Sequence, residues 1–167
     1  WNPGNVQVSN EDCISDWFIL NDPPLLDLPL CGSNVSINEP QQILFQWTPM
    51  HLASPNLLSP PEYKFELWEI FPDNADPQQV VNNSFPILSE STEQAYYNYS
   101  IIDPVLVEGK KYVWSVTVQD VNGAMLFNNE GKSTVCHFLY TSIQSNSFIL
   151  SLNAQATSHR QALLWWN

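Results

Sequence analysis

Positive charge is what this 167-residue chain has least of. Five Lys and Arg stand against 17 Asp and Glu, for a net charge of −12. Only Lys64, Lys110, Lys111, Lys132 and Arg160 could meet phosphates, so nucleic acid and anionic membrane surfaces repel the chain, and nucleic-acid binding is excluded. Long apolar runs are missing too. None approaches the roughly 18 to 20 residues of a membrane-spanning helix, and no direct span is expected. The amino terminus lacks a charged region followed by an apolar one, so any export signal is expected to have been removed or to lie outside this sequence.

Recognisable catalytic motifs are also lacking. His51, His137 and His159 are scattered and form no H-x-x-x-H or H-E-x-x-H pair for a metal. The nucleophile elbow G-x-S-x-G, the Walker loop and the G-x-G-x-x-G fingerprint do not occur. A glycosidase needs two carboxylates set at a fixed distance by the fold, but Glu66 and Glu69, on one strand, would face opposite sides. Asp73, Asn74 and Asp76 offer oxygens to a hard cation, yet their spacing does not match a calcium loop and they read as solvated. The chain is therefore expected not to be an enzyme, and no cofactor or metal is expected.

Aromatic side chains are plentiful. Aromatics make up 13% of the chain, with seven Trp, and apolar residues 44%, which supports a packed core and excludes disorder. The best-patterned stretch runs from Leu106 to Tyr140. Tyr112, Trp114, Val116 and Val118 fall at every second position, as a half-buried strand requires. Turn chemistry at Asp120–Gly123 and Asn128–Gly131 comes next, and Val135 to Tyr140 resumes a strand. Ahead of it, Leu106-x-x-Gly109-x-x-Tyr112 has the spacing of a sandwich corner, in which Gly allows the turn and the Tyr hydroxyl bonds the backbone upstream.

Taken in order, the chain opens with an apolar stretch over residues 1–22 that reads as a lead-in or as the end of an upstream module. Asn21-Asp22-Pro23-Pro24 marks a boundary. Leu25, Leu26, Leu28 and Leu30 make an edge strand that tolerates Pro29. Ile43, Phe45 and Trp47 make a second strand, and Tyr63 to Phe71 a third, with Tyr63, Phe65 and Leu67 on one face and Lys64, Glu66, Trp68 and Ile70 on the other. Val80, Val81, Phe85, Ile87 and Leu88 read as an interrupted strand or two short ones, and Tyr96, Tyr97, Tyr99, Ile101 and Ile102 as the next. The count is about seven strands with no amphipathic helix, the pattern of an antiparallel sandwich over residues 23–141. Residues 142–167 end in Leu163-Leu164-Trp165-Trp166 and read as the start of a truncated second β module or a docking hairpin, since two strands alone are marginal in water.

Phe45-x-Trp47-x-Pro49, Tyr63-x-Phe65-x-Leu67 and Leu106-x-x-Gly109-x-x-Tyr112-x-Trp114-x-Val116 together resemble strands of fibronectin type III domains. Asn21-Asp22-Pro23-Pro24-Leu25-Leu26-Asp27-Leu28-Pro29-x-Cys31-Gly32 and Phe127-Asn128-Asn129-x-Gly131-x-Ser133-x-Val135-Cys136-x-Phe138-x-Tyr140 are similar to the TANFOR domain family of Bacteroidota surface proteins, over residues 20 to 141. That resemblance implies a seven-stranded fibronectin type III or immunoglobulin-like sandwich in an exported protein, at the cell surface, in the outer membrane or outside the cell, linked to type IX secretion, gliding motility or adhesion. Its partners would be other protein modules or an outer-membrane surface complex. In such a topology the first and last strands run parallel, so Cys31 could meet Cys136; the alternative pairs Cys13 with Cys31. Three cysteines and thirteen prolines themselves fit an exported β-protein. Trp68, isolated among polar neighbours on an outer face, packs on a neighbouring element or stacks on a ligand. With Tyr96, Tyr97, Trp165 and Trp166 it forms the candidate interaction surface, and a glycan-binding module is the alternative function.

Overall fold

In the computed structural model, residues 20–52, 61–120 and 125–142 are described. Most of the lead-in, with Cys13, and the segment 143–167, with Trp165 and Trp166, lie outside the described residues. In chain order the elements are β1 (Leu20–Asn21), β2 (Leu25–Leu28), β3 (Ser33–Ser36), β4 (Ile43–Thr48), β5 (Glu62–Glu69), α1 (Pro77–Asn83), β6 (Leu88–Thr92), β7 (Tyr96–Tyr99), β8 (Lys111–Gln119), β9 (Leu126–Phe127) and β10 (Cys136–Thr141). They form an all-β sandwich. One sheet has the order β2-β4-β7, the other β3-β10-β8-β5-β6, and β1 pairs with β9.

Strict alternation builds the core. Along β4, Ile43, Phe45 and Trp47 are buried while Leu44, Gln46 and Thr48 are exposed. Tyr63, Phe65 and Leu67 of β5 and Tyr112, Trp114, Val116 and Val118 of β8 meet them from the facing sheet, as period-two side chains on two inner faces must. The long pattern around Leu106 to Tyr140 places β8 and β10 side by side and antiparallel, with Trp114 opposite Cys136 and Tyr112 opposite Phe138. Between them the chain makes a tight turn at Asn128–Gly131. Gly131 sits at φ +78°, and a Cβ there would run into the Val118 carbonyl.

Two expectations need correction. The described residues hold ten strands rather than seven, and pairing is not wholly antiparallel: β3 runs parallel to β10 and β1 parallel to β9. The reason lies at the first edge strand. It stops at Leu28 and the chain crosses to the other sheet, where β3 takes up the free edge of β10, so one predicted strand becomes two. The short β1–β9 pair adds two more. It also ties Leu20–Asp22, read from sequence as lead-in, to the sandwich: Asn21 Nδ2 donates to the Leu126 carbonyl at 3.1 Å, and Asn128 Nδ2 to Asp22 Oδ1 at 2.8 Å.

The second correction is a helix. Residues 80 and 81 belong to α1, not to a strand. Asp76 caps it, accepting from the Gln79 N–H at 3.0 Å, and Pro77 fills the first turn, where its missing N–H costs nothing.

A disulfide staples the crossing. It joins Cys31 to Cys136, with the Cα atoms 5.0 Å apart and 105 residues between them in sequence; Cys31 is thereby unavailable to Cys13. Beside it the Gly32 N–H donates to the His137 carbonyl at 2.7 Å. Closing so long a loop restricts the unfolded chain, worth about 4 to 5 kcal/mol in the chain-entropy account. The Cys31→Ser/Cys136→Ser double variant should lose about that much unfolding free energy in urea titrations; an unchanged midpoint would show that the bond adds nothing.

Candidate interaction surface

Among the described residues, the candidates for the interaction surface, Trp68, Tyr96 and Tyr97, are not brought together at an open site. Trp68 does lie on the outer face of β5, but it is only 3% exposed, because α1 lies over it. Trp68, Ile70, Val80, Val81 and Val113 form a second small core outside the sandwich, and the Trp68 indole N–H donates to the Ser84 carbonyl at 3.2 Å. Of its two readings, Trp68 packs on a neighbouring element: its neighbours on β5 are polar, but its cover comes from a segment eight or more residues later. Tyr97 points inward and stacks on Phe65, with ring centroids 4.8 Å apart. Tyr96 is 44% exposed beside Leu44 and Gln46 on the outer face of the three-stranded sheet.

Covering Trp68 brings other rings to the surface. Phe71, just past β5, is 76% exposed, and Phe85, just past α1, is 95% exposed. Phe71 lines an open groove of about 410 Å³ along α1 with Glu69, Ala75, Gln79, Val80, Asn83 and Ser84. The Lys110 ammonium lies 5.9 Å from the centre of the Phe71 ring, within cation–π range, and 3.6 and 3.7 Å from Glu69 and Asp73. In the oxygen-rich loop, Asp76 is therefore engaged in the helix cap and Asp73 with Lys110. No group of three or more His, Cys, Asp or Glu suited to a metal occurs among the described residues.

A second surface lies at the end of the sandwich where β10 finishes. Residues 100–107, whose first two isoleucines read in sequence as strand, form a turn-rich loop held by side chains. Tyr97 Oη donates to Asp103 Oδ1 at 2.7 Å, and Asp103 Oδ2 accepts from the Ser100 N–H at 2.7 Å. Tyr99 Oη donates to the Pro104 carbonyl. Gln41, from the other side, donates to the Ser100 and Pro104 carbonyls and accepts from the Leu106 N–H at 2.9 Å. Tyr112 Oη accepts from the Val107 N–H at 2.8 Å, while Leu106 is buried and Gly109 turns at φ +78°. Burial, then the hydrogen bond to Asp103, pushes the Tyr97 hydroxyl well up, and burial foremost does the same for Tyr99. Both stay protonated as donors across the physiological range.

His51, at the opposite end, is fully buried against Tyr63 and Phe127. Its Nε2 is 3.3 Å from Tyr63 Oη, and its Nδ1 finds no partner among the described residues. Desolvation holds its pKa below 6.5 and pushes Tyr63 up to about 12. The imidazole is neutral in the folded protein, so protonation favours unfolding.

Two outcomes are expected. Asp76→Ala should cost about 1 kcal/mol of stability through the lost cap, whereas Phe71→Ala and Phe85→Ala should stay within about 0.5 kcal/mol; a large loss from either Phe would make it structural. Stability should be full above pH ~6.5 and fall as pH drops through the lowered pKa of His51, and His51→Phe should flatten that fall; an equal acid slope in the variant would clear His51.

No family model matches the chain, and no curated protein matches it. Among solved structures it is similar to the twitchin kinase region from C. elegans, at 16% identity and a TM-score of 0.37, over 71% of this chain and 16% of that one. The sensor domain of the anti-sigma factor RsgI4 of Pseudobacteroides cellulosolvens aligns at 14% identity and a TM-score of 0.37, over 86% of this chain and 92% of that one. This chain thus spans a small part of the first and most of the second.

Proposed function

We propose that this chain is a non-catalytic structural and protein-interaction module of an exported protein, and that Phe71 and Phe85 beside α1 contact its protein partner. The carrying observation is the pair of large aromatic rings left outside a helix that is itself capped and packed. Exposed aromatics on a rigid support are typical anchors of protein interfaces, and single apolar residues would carry no such weight. The Cys31–Cys136 bond fits an oxidising compartment. Among the described residues no helix is long and apolar enough to cross a membrane.

The sheet orders and the bond from the Val107 N–H to Tyr112 Oη support the fibronectin type III-like reading. On its residue strings over 21–32 and 127–140, the module belongs with TANFOR-like surface proteins of Bacteroidota, in a type IX secretion, gliding or adhesion assembly. A glycan site draws less support: Trp68 lies beneath α1 and Tyr97 packs on Phe65, which leaves Tyr96 as the exposed one among the described candidate rings of that reading.

Placing a photo-crosslinking amino acid at position 85 of the full-length protein in its source cells tests this directly. Adducts with other exported proteins, weakened by Phe71→Glu, are expected. A protein confined to the cytoplasm, or crosslinks indifferent to Phe71, would overturn the proposal.

A further inference from the structure

Among the described residues, the edge strands of the two main sheets are β2 and β7 in the three-stranded sheet and β3 and β6 in the five-stranded one. An open edge offers unpaired N–H and C=O groups to another chain, and proteins blunt such edges with proline, bulges or charge, including charge on the inward face. β2 lies between Pro23-Pro24 and Pro29, carries Asp27 and shifts register between Leu26 and Leu28. β6 places Glu90 opposite Phe65, on the face that turns to the core. β3 offers Ser33, Asn34, Val35 and Ser36, with no large side chain to anchor a partner.

β7 has none of these devices. Tyr96-Tyr97-Asn98-Tyr99 holds no charge and no proline, and it pairs with β4 in unbroken register. The Trp47 N–H donates to the Ala95 carbonyl at 3.1 Å, which sets the alternation of the antiparallel ladder. Ala95, Tyr97 and Tyr99 turn their main-chain groups to β4, and Tyr96 and Asn98 turn theirs away. Among the described residues no strand lies on that side. Beyond it the ladder is closed at both ends, since Thr92 Oγ1 accepts from the Gln94 N–H at 3.0 Å and Asp103 Oδ2 from the Ser100 N–H at 2.7 Å. The open edge is short, and its main-chain groups are those of Tyr96 and Asn98.

Side chains beside this edge suit an added strand. Tyr96 stands with Leu44, Gln46 and Ala95 around an open hollow of about 340 Å³ on the outer face of the sheet, where alternate side chains of a further strand would fall. The edge is held from beneath, because Tyr97 stacks on Phe65 and Tyr99 is fully buried. Acids gather around it. Burial first, then the hydrogen bond to Asp103 and the charges of Asp103 and Glu90, push the Tyr97 hydroxyl well up, so both carboxylates lie close to β7; Glu93 lies in the connection from β6. The described cations are engaged elsewhere: Lys64 with Glu66 at 2.8 Å, Lys110 with Glu69 and Asp73, Lys111 with the Asp73 carbonyl, and Lys132 beside Thr117. The chemistry that matches this edge is an extended, apolar and basic chain.

We propose that the edge of β7 takes up a short extended segment of a partner protein as a further strand of the three-stranded sheet. The segment's main chain bonds Tyr96 and Asn98, an apolar side chain sits in the hollow between Leu44 and Tyr96, and a Lys or Arg meets Glu90, Glu93 or Asp103. This contact uses neither Phe71 nor Phe85, so it stands or falls separately from the surface at α1.

Selection of a phage-displayed library of random short peptides on the full 167-residue chain tests it. Enriched peptides should alternate apolar residues with others, carry Lys or Arg, and shift the Tyr96 and Asn98 amide resonances. N-methylation at every second peptide residue should abolish binding in one phase and spare it in the other, because only alternate residues bond the edge. Asn98→Pro removes an outward N–H, a change that edge strands tolerate, and should weaken binding about fivefold or more, the loss of one main-chain hydrogen bond. Tyr96→Lys, which keeps the N–H and sets a cation at the hollow, should weaken it as well; unchanged near-ultraviolet circular dichroism would verify the fold of both variants. Phe71→Glu should leave the affinity as in the parent. No enriched peptide, affinity indifferent to Asn98→Pro and to N-methylation in either phase, or shifts confined to other strands would overturn the proposal. So would slow exchange of the Tyr96 and Asn98 amides without peptide: lost on dilution, it would assign the edge to a second copy of the chain, and kept on dilution, to the chain's own residues.

Discussion

The contact on which the rest of the molecule depends is the packing of Phe45 between the sheets. From β4 it reaches Phe65 at 4.8 Å, Trp114 at 5.1 Å and Phe138 at 5.8 Å in the facing sheet, and Tyr99 at 6.0 Å in its own. Removing a buried ring of this kind costs about 3 to 5 kcal/mol, a large part of the ~5 to 15 kcal/mol that holds a typical domain together. Around it Phe65 stacks with Tyr97 and Trp47, and Tyr112 with Phe138. The strands that carry these rings are thereby fixed relative to one another, and every surface feature is positioned from them.

Tyr97, Tyr99 and Tyr112 connect that core to the surface. Their rings lie in it, while their hydroxyls emerge at the end of the sandwich and hold the backbone of residues 100–107. The same amphipathic logic operates at the side, where Trp68 buries its ring under α1 and gives its N–H to the Ser84 carbonyl. In both places a polar tip on an aromatic residue fixes a connection that would otherwise move. Nearby apolar side chains, Phe71 and Phe85 in one case and Ile101, Ile102, Val105 and Val107 in the other, are then presented outward on rigid supports.

Much of this was legible in the residues. The alternation of Ile43, Phe45 and Trp47, and of Tyr112 through Val118, reads directly as core, because a strand facing one apolar layer has a period of two. The pairing of Cys31 with Cys136 is available once the first and last strands are parallel. The surface was harder to read. Trp68 looks exposed by the polarity of Lys64 and Glu66, since strand period cannot reveal a helix laid over the outer face. The signal for that helix was present in Asp76-Pro77-x-Gln79, a capping residue, a proline in the first turn and a side-chain acceptor for the Gln79 N–H, but Val80, Val81 and Phe85 suit a strand equally well. Ile101 and Ile102 misled for a related reason: β-branched residues favour strands, and here the side chains of Asp103 and Gln41 claim the backbone that a strand would pair.

The central claim is that the core extends through its tyrosine hydroxyls to make the loop at residues 100–107 part of the rigid structure. Amide hydrogen exchange in the full chain measures this most directly. The Leu106 and Val107 N–H groups, bonded to Gln41 and Tyr112, should exchange nearly as slowly as the amides of β8, with opening free energies close to global unfolding. Exchange at the rate of an unstructured peptide would contradict the account.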